Sequence, residues 1–166
     1  TGSLINPQTR SIIAEVSNLA RIGLAIYGFS PTTFDEYLKP TLTSITKIAQ
    51  IKKVSAGDRL GYDGTYKAPK NLTTAILPIG YYDGVDRRLS NKGIFLLNNI
   101  PCPILGRVSM NITIININNV PNPYLGQEVI VYSSNSQDKN SFINSAKICQ
   151  TIPYDLLVHL SETTRR

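Results

Sequence analysis

The chain has 166 residues, of which 42% are hydrophobic and 17% are charged, a composition that supports a folded core and excludes a disordered chain. No apolar run approaches the ~18 residues of a membrane span, so we expect no membrane partner. The formal charge of +6 fits either an ordinary basic surface or an anionic partner, a small anion such as phosphate or carboxylate no less than a nucleic acid. The one basic tail, Arg165-Arg166, is too short for a nucleic-acid arm.

The first thirty residues differ from the remainder. Helical spacing of apolar residues predicts a helix from Ser11 to Leu19, and the apolar segment 21–28, bounded by glycines, predicts a short strand. The loop-forming residues Ser30 and Pro31 indicate a boundary. A helix and one strand cannot bury a core alone. We therefore predict an incomplete domain at 1–30 and a second domain at 31–166.

Residues 41–160 are predicted to be mainly β structure. The Thr- and Ile-rich segment 41–54 favours a strand, although its apolar residues also fit a helical stripe. A turn follows at 56–58. Leu72 to Ile79 predicts a second strand, with Pro78 at an edge or a strand end.

The second half of the chain adds further short strands and one helix. Paired asparagines predict a hairpin turn at 98–99, and alternation from Val108 to Ile114 is the strongest strand pattern in the chain. The remaining predicted elements are a strand at 128–132, a helix at 138–150 and a strand at 156–160. This spacing of short strands is typical of a small β-barrel or sandwich with one or two helices.

The cysteines and the single histidine limit the chemistry that can be assigned. Cys102 and Cys149 form no CxxC pair, which favours a reduced, cytoplasmic chain over a disulfide framework or a thiolate metal site. His159 lies in an apolar run typical of a core or interface residue. We predict no metal site.

Four separated motifs carry a resemblance. They are GYDGTY at 61–66, PIGYYDG at 78–84, GRVSM at 106–110 and TIPYD at 151–155, preceded by RIGLAIYG at 21–28. Their order and spacing are similar to those of the C-terminal part of alanine racemase, and the segment 21–28 resembles the piece that closes that family's barrel domain. Together the motifs are far more specific than any one of them.

The resemblance implies a racemase that interconverts L-alanine and D-alanine with pyridoxal 5'-phosphate and supplies D-alanine for peptidoglycan. It implies that residues 1–30 end a (β/α)8 barrel, whose lysine, outside this chain, holds the cofactor. We therefore expect the chain alone to be inactive. The expected partners are that barrel domain and a second subunit of a homodimer.

Racemisation needs one base on each face of the substrate Cα, with the cofactor as electron sink. The resemblance implies that the barrel lysine is one base and Tyr62 the other, reaching into the partner subunit's site. A phenol needs cationic or hydrogen-bonding neighbours to act as a base. Taken alone, Tyr62 would be an ordinary turn residue beside two glycines. By the same resemblance, Arg21 faces the pyridine nitrogen and can only donate to it.

The remaining assignments are also implied by the resemblance. The cofactor phosphate is assigned to Ser3, the amides of Gly23 and Leu24, and the hydroxyl of Tyr154. The substrate carboxylate is assigned to the backbone of Met110. The narrow entrance is assigned to Tyr81, Arg87 and Arg107, whose guanidinium groups suit carboxylates.

Three residues depart from the family pattern. Asn111 stands where aspartate is common, and Asp63 and Tyr82 stand where small residues are usual. Losing the carboxylate at 111 should alter the charge of the entrance. Two alternatives stay open: a racemase for serine or a wider range of amino acids, and a non-enzymatic basic β-barrel binding module.

Overall fold

A computed structural model describes residues 7–19, 21–29 and 38–161. The chain forms two compact units, Thr1–Leu42 and Thr43–Arg166. We predicted a domain boundary after residue 30. Residues 30–37 lie outside the described ranges, so this boundary stays a prediction. No helix in those ranges has the length and apolar character needed to cross a bilayer.

The first unit contains two short helical elements. Helix α1 spans Pro7–Val16, so the predicted helix begins earlier and ends earlier than expected. Proline is favoured in a first helical turn, where its missing N–H costs nothing, and this extends the start to Pro7. The predicted short strand is wrong, because Leu24–Tyr27 is a 3₁₀ helix that ends at Gly28, whose φ is 79°.

The second unit is mainly β, which confirms the predicted fold class. Its strands form a four-stranded sheet in the order β1-β9-β6-β7, a three-stranded sheet in the order β2-β5-β8, and the small pair β3-β4, rather than a closed barrel. The bounds are β1 Ser44–Lys47, β2 Gln50–Val54, β3 Arg59–Leu60, β4 Tyr66–Lys67, β5 Leu72–Leu77, β6 Ile94–Leu97, β7 Ile100–Pro103, β8 Thr113–Asn116 and β9 Glu128–Tyr132.

The predicted strand over 41–54 is two strands in different sheets. Strand β1 pairs with β9 and β2 pairs with β5, both antiparallel. Between them, Ile48 is 2% exposed and its N–H donates to the carbonyl of Gln127 over 3.0 Å. The chain therefore passes from one sheet to the other through a buried residue, and the helical interpretation of this segment is wrong.

Several elements were predicted correctly, in part from the residues that form turns. Asn98 and Asn99 have φ values of 51° and 61° and join β6 to β7, as the hairpin prediction required. Strand β9 has its predicted bounds. Pro78 follows the last residue of β5, which is the central strand of its sheet, so the proline marks a strand end.

Alternation misplaced one strand. The segment predicted from Val108 to Ile114 is a strand only from Thr113 onward, in β8. The N–H of Ser109 donates to the carbonyl of Ile112 over 2.9 Å, which closes a turn with Met110 and Asn111 at its tip. Both tip residues are exposed, so alternating polarity here reflects a loop that returns to the sheet.

Two helices complete the second unit. Helix α2 spans Phe142–Cys149 and begins later than predicted, because the Ser141 hydroxyl caps it by accepting from the Asn144 N–H. Helix α3 spans Pro153–Val158, so the strand predicted at 156–160 is wrong. Proline in its first turn and the adjacent buried pair Leu156 and Leu157 suit a short helix packed on one side.

The interior is apolar and joins the large sheet to α2. Tyr132 of β9 and Phe142 of α2 are fully buried, and their rings stack with centroids 4.5 Å apart. Cys102 and Cys149 are buried and free, and burial raises the pKa of each thiol to about 11. Both thiols are therefore protonated at neutral pH. His159 is 65% exposed at the end of α3, so it is not a core residue of the second unit.

Candidate functional site

An open depression of about 520 Å³ surrounds Tyr62. Its wall is formed by Gly61 and Tyr62 on one side and by the turn 109–112 on the other. Tyr62 is 61% exposed and Met110 is 46% exposed. The structure thus places the predicted base and the predicted carboxylate-binding residue in one depression.

The turn that carries Tyr62 is held by close backbone packing. Gly61 has a φ of 75°, and a Cβ there would lie 2.7 Å from the backbone nitrogen of Arg107, so only glycine fits. At the other end, Arg59 donates from Nη1 to the Gly64 carbonyl over 3.0 Å. Tyr62 therefore projects from a turn whose two ends are both fixed.

Met110 is positioned by the segment that carries Tyr81. The N–H groups of Tyr81 and Tyr82 donate to the carbonyls of Ser109 and Met110, each over 2.9 Å. Gly80 makes this approach possible, because a Cβ there would overlap the Ser109 carbonyl oxygen. The Met110 N–H makes no hydrogen bond within residues 38–161, and so remains able to donate to a carboxylate.

A second, smaller cavity of about 230 Å³ adjoins Tyr81. It is lined by Tyr81, by residues 84–88, and by Leu156 and His159 of the α3 region. The guanidinium carbon of Arg87 lies 6.0 Å from the centre of the Tyr81 ring, at the limit of a cation–π contact. Two of the predicted entrance residues are therefore neighbours.

The third predicted entrance residue, Arg107, lies on the side of Tyr62. Its Nη1 is 3.3 Å from Oδ2 of Asp63, the residue after Tyr62. Asp63 has a left-handed backbone conformation, with φ 58°. The ion pair therefore joins the turn of Tyr62 to the segment that leads into Met110.

Arg88 forms a charge network that the sequence patterns did not predict. Its Nε contacts both carboxylate oxygens of Asp86, at 2.9 and 3.1 Å, and its Nη2 lies 2.7 Å from Oδ2 of Asp155. The Thr151 hydroxyl donates to the same Asp155 oxygen over 2.9 Å. The network connects the Arg87 loop to the helix that carries Tyr154, across 67 positions of sequence that no local pattern spans.

The network shifts the pKa values of its members. Burial disfavours the charged form of Asp86, but hydrogen bonds and charge from Arg88 outweigh it and hold the pKa of this carboxyl below 3.8. Hydrogen bonds from Arg88 and Thr151 lower the pKa of Asp155 in the same way. The two carboxylates raise the pKa of Arg88.

Tyr132 anchors this loop to the core. Its buried hydroxyl donates to the Gly84 carbonyl over 3.1 Å and accepts from the Asp86 N–H over 3.3 Å. Burial raises the pKa of the Tyr132 hydroxyl, which therefore stays neutral and structural.

The residues predicted to bind the cofactor are distributed over both units. Tyr154 lies on α3 with 44% of its surface exposed. Arg21, Gly23 and Leu24 belong to the first unit, at the start of its 3₁₀ helix. Ser3 lies outside the described residues. Within the described ranges, no three His, Cys, Asp or Glu side chains lie close enough to share a metal ion.

Comparison with known proteins defines the family. A family model described as alanine racemase, C-terminal domain, matches residues 41–166. Alanine racemase from Methylacidiphilum infernorum is 36% identical over 147 residues, 88% of this chain and 38% of that protein. Alanine racemase from Borreliella burgdorferi is 32% identical over 90% of this chain and 40% of its own length.

Solved structures of alanine racemases match this chain as well. The alanine racemase from Bartonella henselae with covalently bound pyridoxal phosphate superimposes with a TM-score of 0.78 at 28% identity, over 87% of this chain and 40% of that one. The enzyme from Acinetobacter baumannii gives a TM-score of 0.76 at 31% identity, again over 87% and 40%. This chain thus spans about two fifths of the length of the proteins it matches.

The β unit with its tyrosine-bearing turn is of the class found as the C-terminal domain of racemases. The chain belongs to the alanine racemase family.

Replacing Gly80 by alanine should separate the Tyr81 segment from Met110. The added methyl group overlaps backbone atoms that cannot rotate away, so we expect a loss of about 1–3 kcal/mol in the free energy of unfolding. Amide hydrogen exchange should show reduced protection of Tyr81 and Tyr82, which donate across this contact. Gly57→Asn is the control, since nothing lies within 4 Å of a Cβ there while its φ of 92° strains a side chain. It should lower stability without lowering the protection of Tyr81 and Tyr82. Unchanged protection of both amides in Gly80→Ala would contradict the packing described.

Stability should fall with acid partly through the Arg88 network. Because the folded pKa values of Asp86 and Asp155 are lowered, their contribution is complete above the ordinary pKa and is lost as the pH falls through the folded values. We expect the urea midpoint to decline as the pH falls below the ordinary carboxyl pKa of about 4, and to decline less in Arg88→Gln. Lys53→Gln, a charge-matched change at an exposed residue of β2, should keep the wild-type slope. Equal slopes in all three proteins would show that the network has no such role.

Proposed function

We propose that the full-length protein containing this chain is a pyridoxal-phosphate-dependent alanine racemase, and that the chain provides its C-terminal domain. The observation that carries the proposal is the depression in which Tyr62 faces the Met110 turn. A cytoplasmic location and a supply of D-alanine for peptidoglycan are part of the same proposal. They rest on the family and not on any contact in the second unit.

The depression suits the two tasks that racemisation sets. A base must reach the substrate Cα, and the carboxylate must be held so that the Cα–H bond faces that base. Tyr62 supplies a hydroxyl on an exposed ring from a fixed turn, and Met110 supplies an amide N–H. Tyr62 removes or returns the proton on the L face, while the lysine of the barrel domain serves the D face.

The residues assigned to the cofactor fit a phosphate ester. Gly23 and Leu24 are at the start of a helical turn, where N–H groups have no partner within the turn and can donate to an anion. Tyr154 offers a hydroxyl donor from α3. Arg21 would donate to the pyridine nitrogen of the cofactor and so favour its unprotonated form, because a guanidinium group can only donate. When bound, the cofactor withdraws electrons from the substrate Cα and so acidifies its proton.

The residues assigned to the entrance act on the substrate before the proton-transfer step. The guanidinium groups of Arg87 and Arg107 attract and orient a carboxylate, and Tyr81 narrows the path beside Arg87. We propose a homodimer in which Tyr62 of one subunit completes the site of the other. Since the cofactor lysine belongs to the barrel domain, this chain alone should neither bind the cofactor covalently nor racemise alanine.

Tyr62→Phe in the full-length protein tests the assignment of the base. The ring is retained, so packing around the turn should change little, while proton transfer on the L face loses its donor and acceptor. General-base groups contribute about 10²–10⁴-fold, and we expect a loss near the upper value. The measurement is deuterium exchange at Cα of each enantiomer, with exchange of L-alanine falling far more than that of D-alanine.

Tyr124→Phe is the matched control. Tyr124 is 62% exposed, like Tyr62, but lines a different depression with residues 49–51. Its loss should leave both exchange rates at the wild-type level. If Tyr62→Phe also exchanges both enantiomers at wild-type rates, Tyr62 is a structural turn residue and the proposed role is wrong.

A further inference from the structure

Asp63 occupies an unusual position beside the proposed base. Its φ of 58° and ψ of 13° are left-handed, a conformation that most side chains avoid and that aspartate and asparagine tolerate. Its carboxylate is 70% exposed and lies 3.3 Å from Nη1 of Arg107. Asp63 and Arg107 do not line the Tyr62 depression itself. They form an ion pair beside the turn that carries Tyr62, and we call this flank of the turn the rim.

Stability does not explain this carboxylate. An exposed ion pair contributes little to folding. The turn is already fixed by the close contact of Gly61 with Arg107 and by the hydrogen bond from Arg59 to the Gly64 carbonyl. What Asp63 adds beyond stability is a negative charge beside Arg107.

The rim carries both signs of charge because of Asp63. Arg107 and Arg59 border the turn with two guanidinium groups, and Asp63 lies between them in sequence and in ion-pair contact with Arg107. Without the carboxylate, the rim would attract any small anion. With the Asp63 carboxylate present, a molecule that approaches the rim contacts a positive guanidinium group and a negative carboxylate next to each other.

We propose that Asp63 makes this entrance selective for zwitterionic amino acids over simple carboxylates. The inference rests on the proposed function and deepens it. An amino acid presents a carboxylate to Arg107 and an ammonium group to Asp63, and both contacts are favourable. A carboxylate such as propionate is attracted by Arg107 but repelled by the negative charge of Asp63, because it has no ammonium group to pair with that carboxylate. Asp63 is therefore a specificity-determining residue at the rim and not a base.

Asp63→Asn isolates the charge. Asparagine has the same shape and tolerates the left-handed conformation, so the turn is kept while the negative charge is removed. One unit charge several ångströms from a bound anion at a protein surface corresponds to roughly 3–10-fold in affinity. We expect propionate to bind that much more tightly in the variant, and alanine to bind no more tightly or more weakly.

The experiment uses the full-length protein and two readouts. Saturation-transfer NMR gives the dissociation constants of propionate and alanine directly, and racemase assays give the ratio of the propionate inhibition constant to the alanine KM. Each is measured at low and at high salt, because screening should shrink an electrostatic effect and leave a structural one unchanged. Glu128→Gln removes the same charge from an exposed position on β9, opposite Lys47, and should leave both constants unchanged.

The outcomes separate the two proposals. A fall in the propionate-to-alanine ratio in Asp63→Asn alone, reduced by salt, supports the inference. An unchanged ratio, or an equal fall in Glu128→Gln, overturns it. If the wild-type protein binds both molecules but does not racemise alanine, the proposed function fails, and the binding ratio still decides the role of Asp63.

Discussion

The second unit depends on backbone segments that approach too closely for any side chain between them. Gly61 lies against the backbone of Arg107, Gly106 against that of Leu60, and Gly80 against the carbonyls of the Met110 turn. Each contact removes the space that a Cβ would need. Three segments far apart in the sequence are therefore fixed to one another by their main chains, and the exposed side chains beside these glycines are brought around one depression.

Around this glycine-packed centre, polar contacts hold the loops to the core. The buried Tyr132 hydroxyl bonds the loop 84–86, and Arg88 links that loop to α3 through Asp86 and Asp155. The apolar interior supplies most of the folding free energy. The polar contacts fix the positions of the loop with Arg87 and the helix with Tyr154. Hydrogen bonds and ion pairs thus order an arginine-bearing surface of the second unit.

The sequence predicted the β architecture because turn residues carry local information. Asn98-Asn99 specified a hairpin, whereas the close backbone approaches at the motif glycines were not predicted. It failed where tertiary contacts outweigh local pattern. The alternation at 108–112 belongs to a turn held by Gly80, and the apolar run 156–160 contributes to a helix that packs on α2 and starts at a proline. Motif order brought Tyr62 and Met110 into the candidate site, but the partners of Arg88 and the pairing of Asp63 with Arg107 depend on distances that no spacing encodes.

We propose that Tyr62 completes a site whose other base belongs to a second subunit's barrel domain. Subunit complementation tests it most directly. Full-length chains lacking the cofactor lysine are mixed with Tyr62→Phe chains, both inactive as homodimers, and the exchanged heterodimer is purified by two tags. We expect about half of the wild-type activity per heterodimer, because symmetry leaves one of the two shared sites with both bases. A purified heterodimer with no activity above either parent would contradict a site shared between subunits.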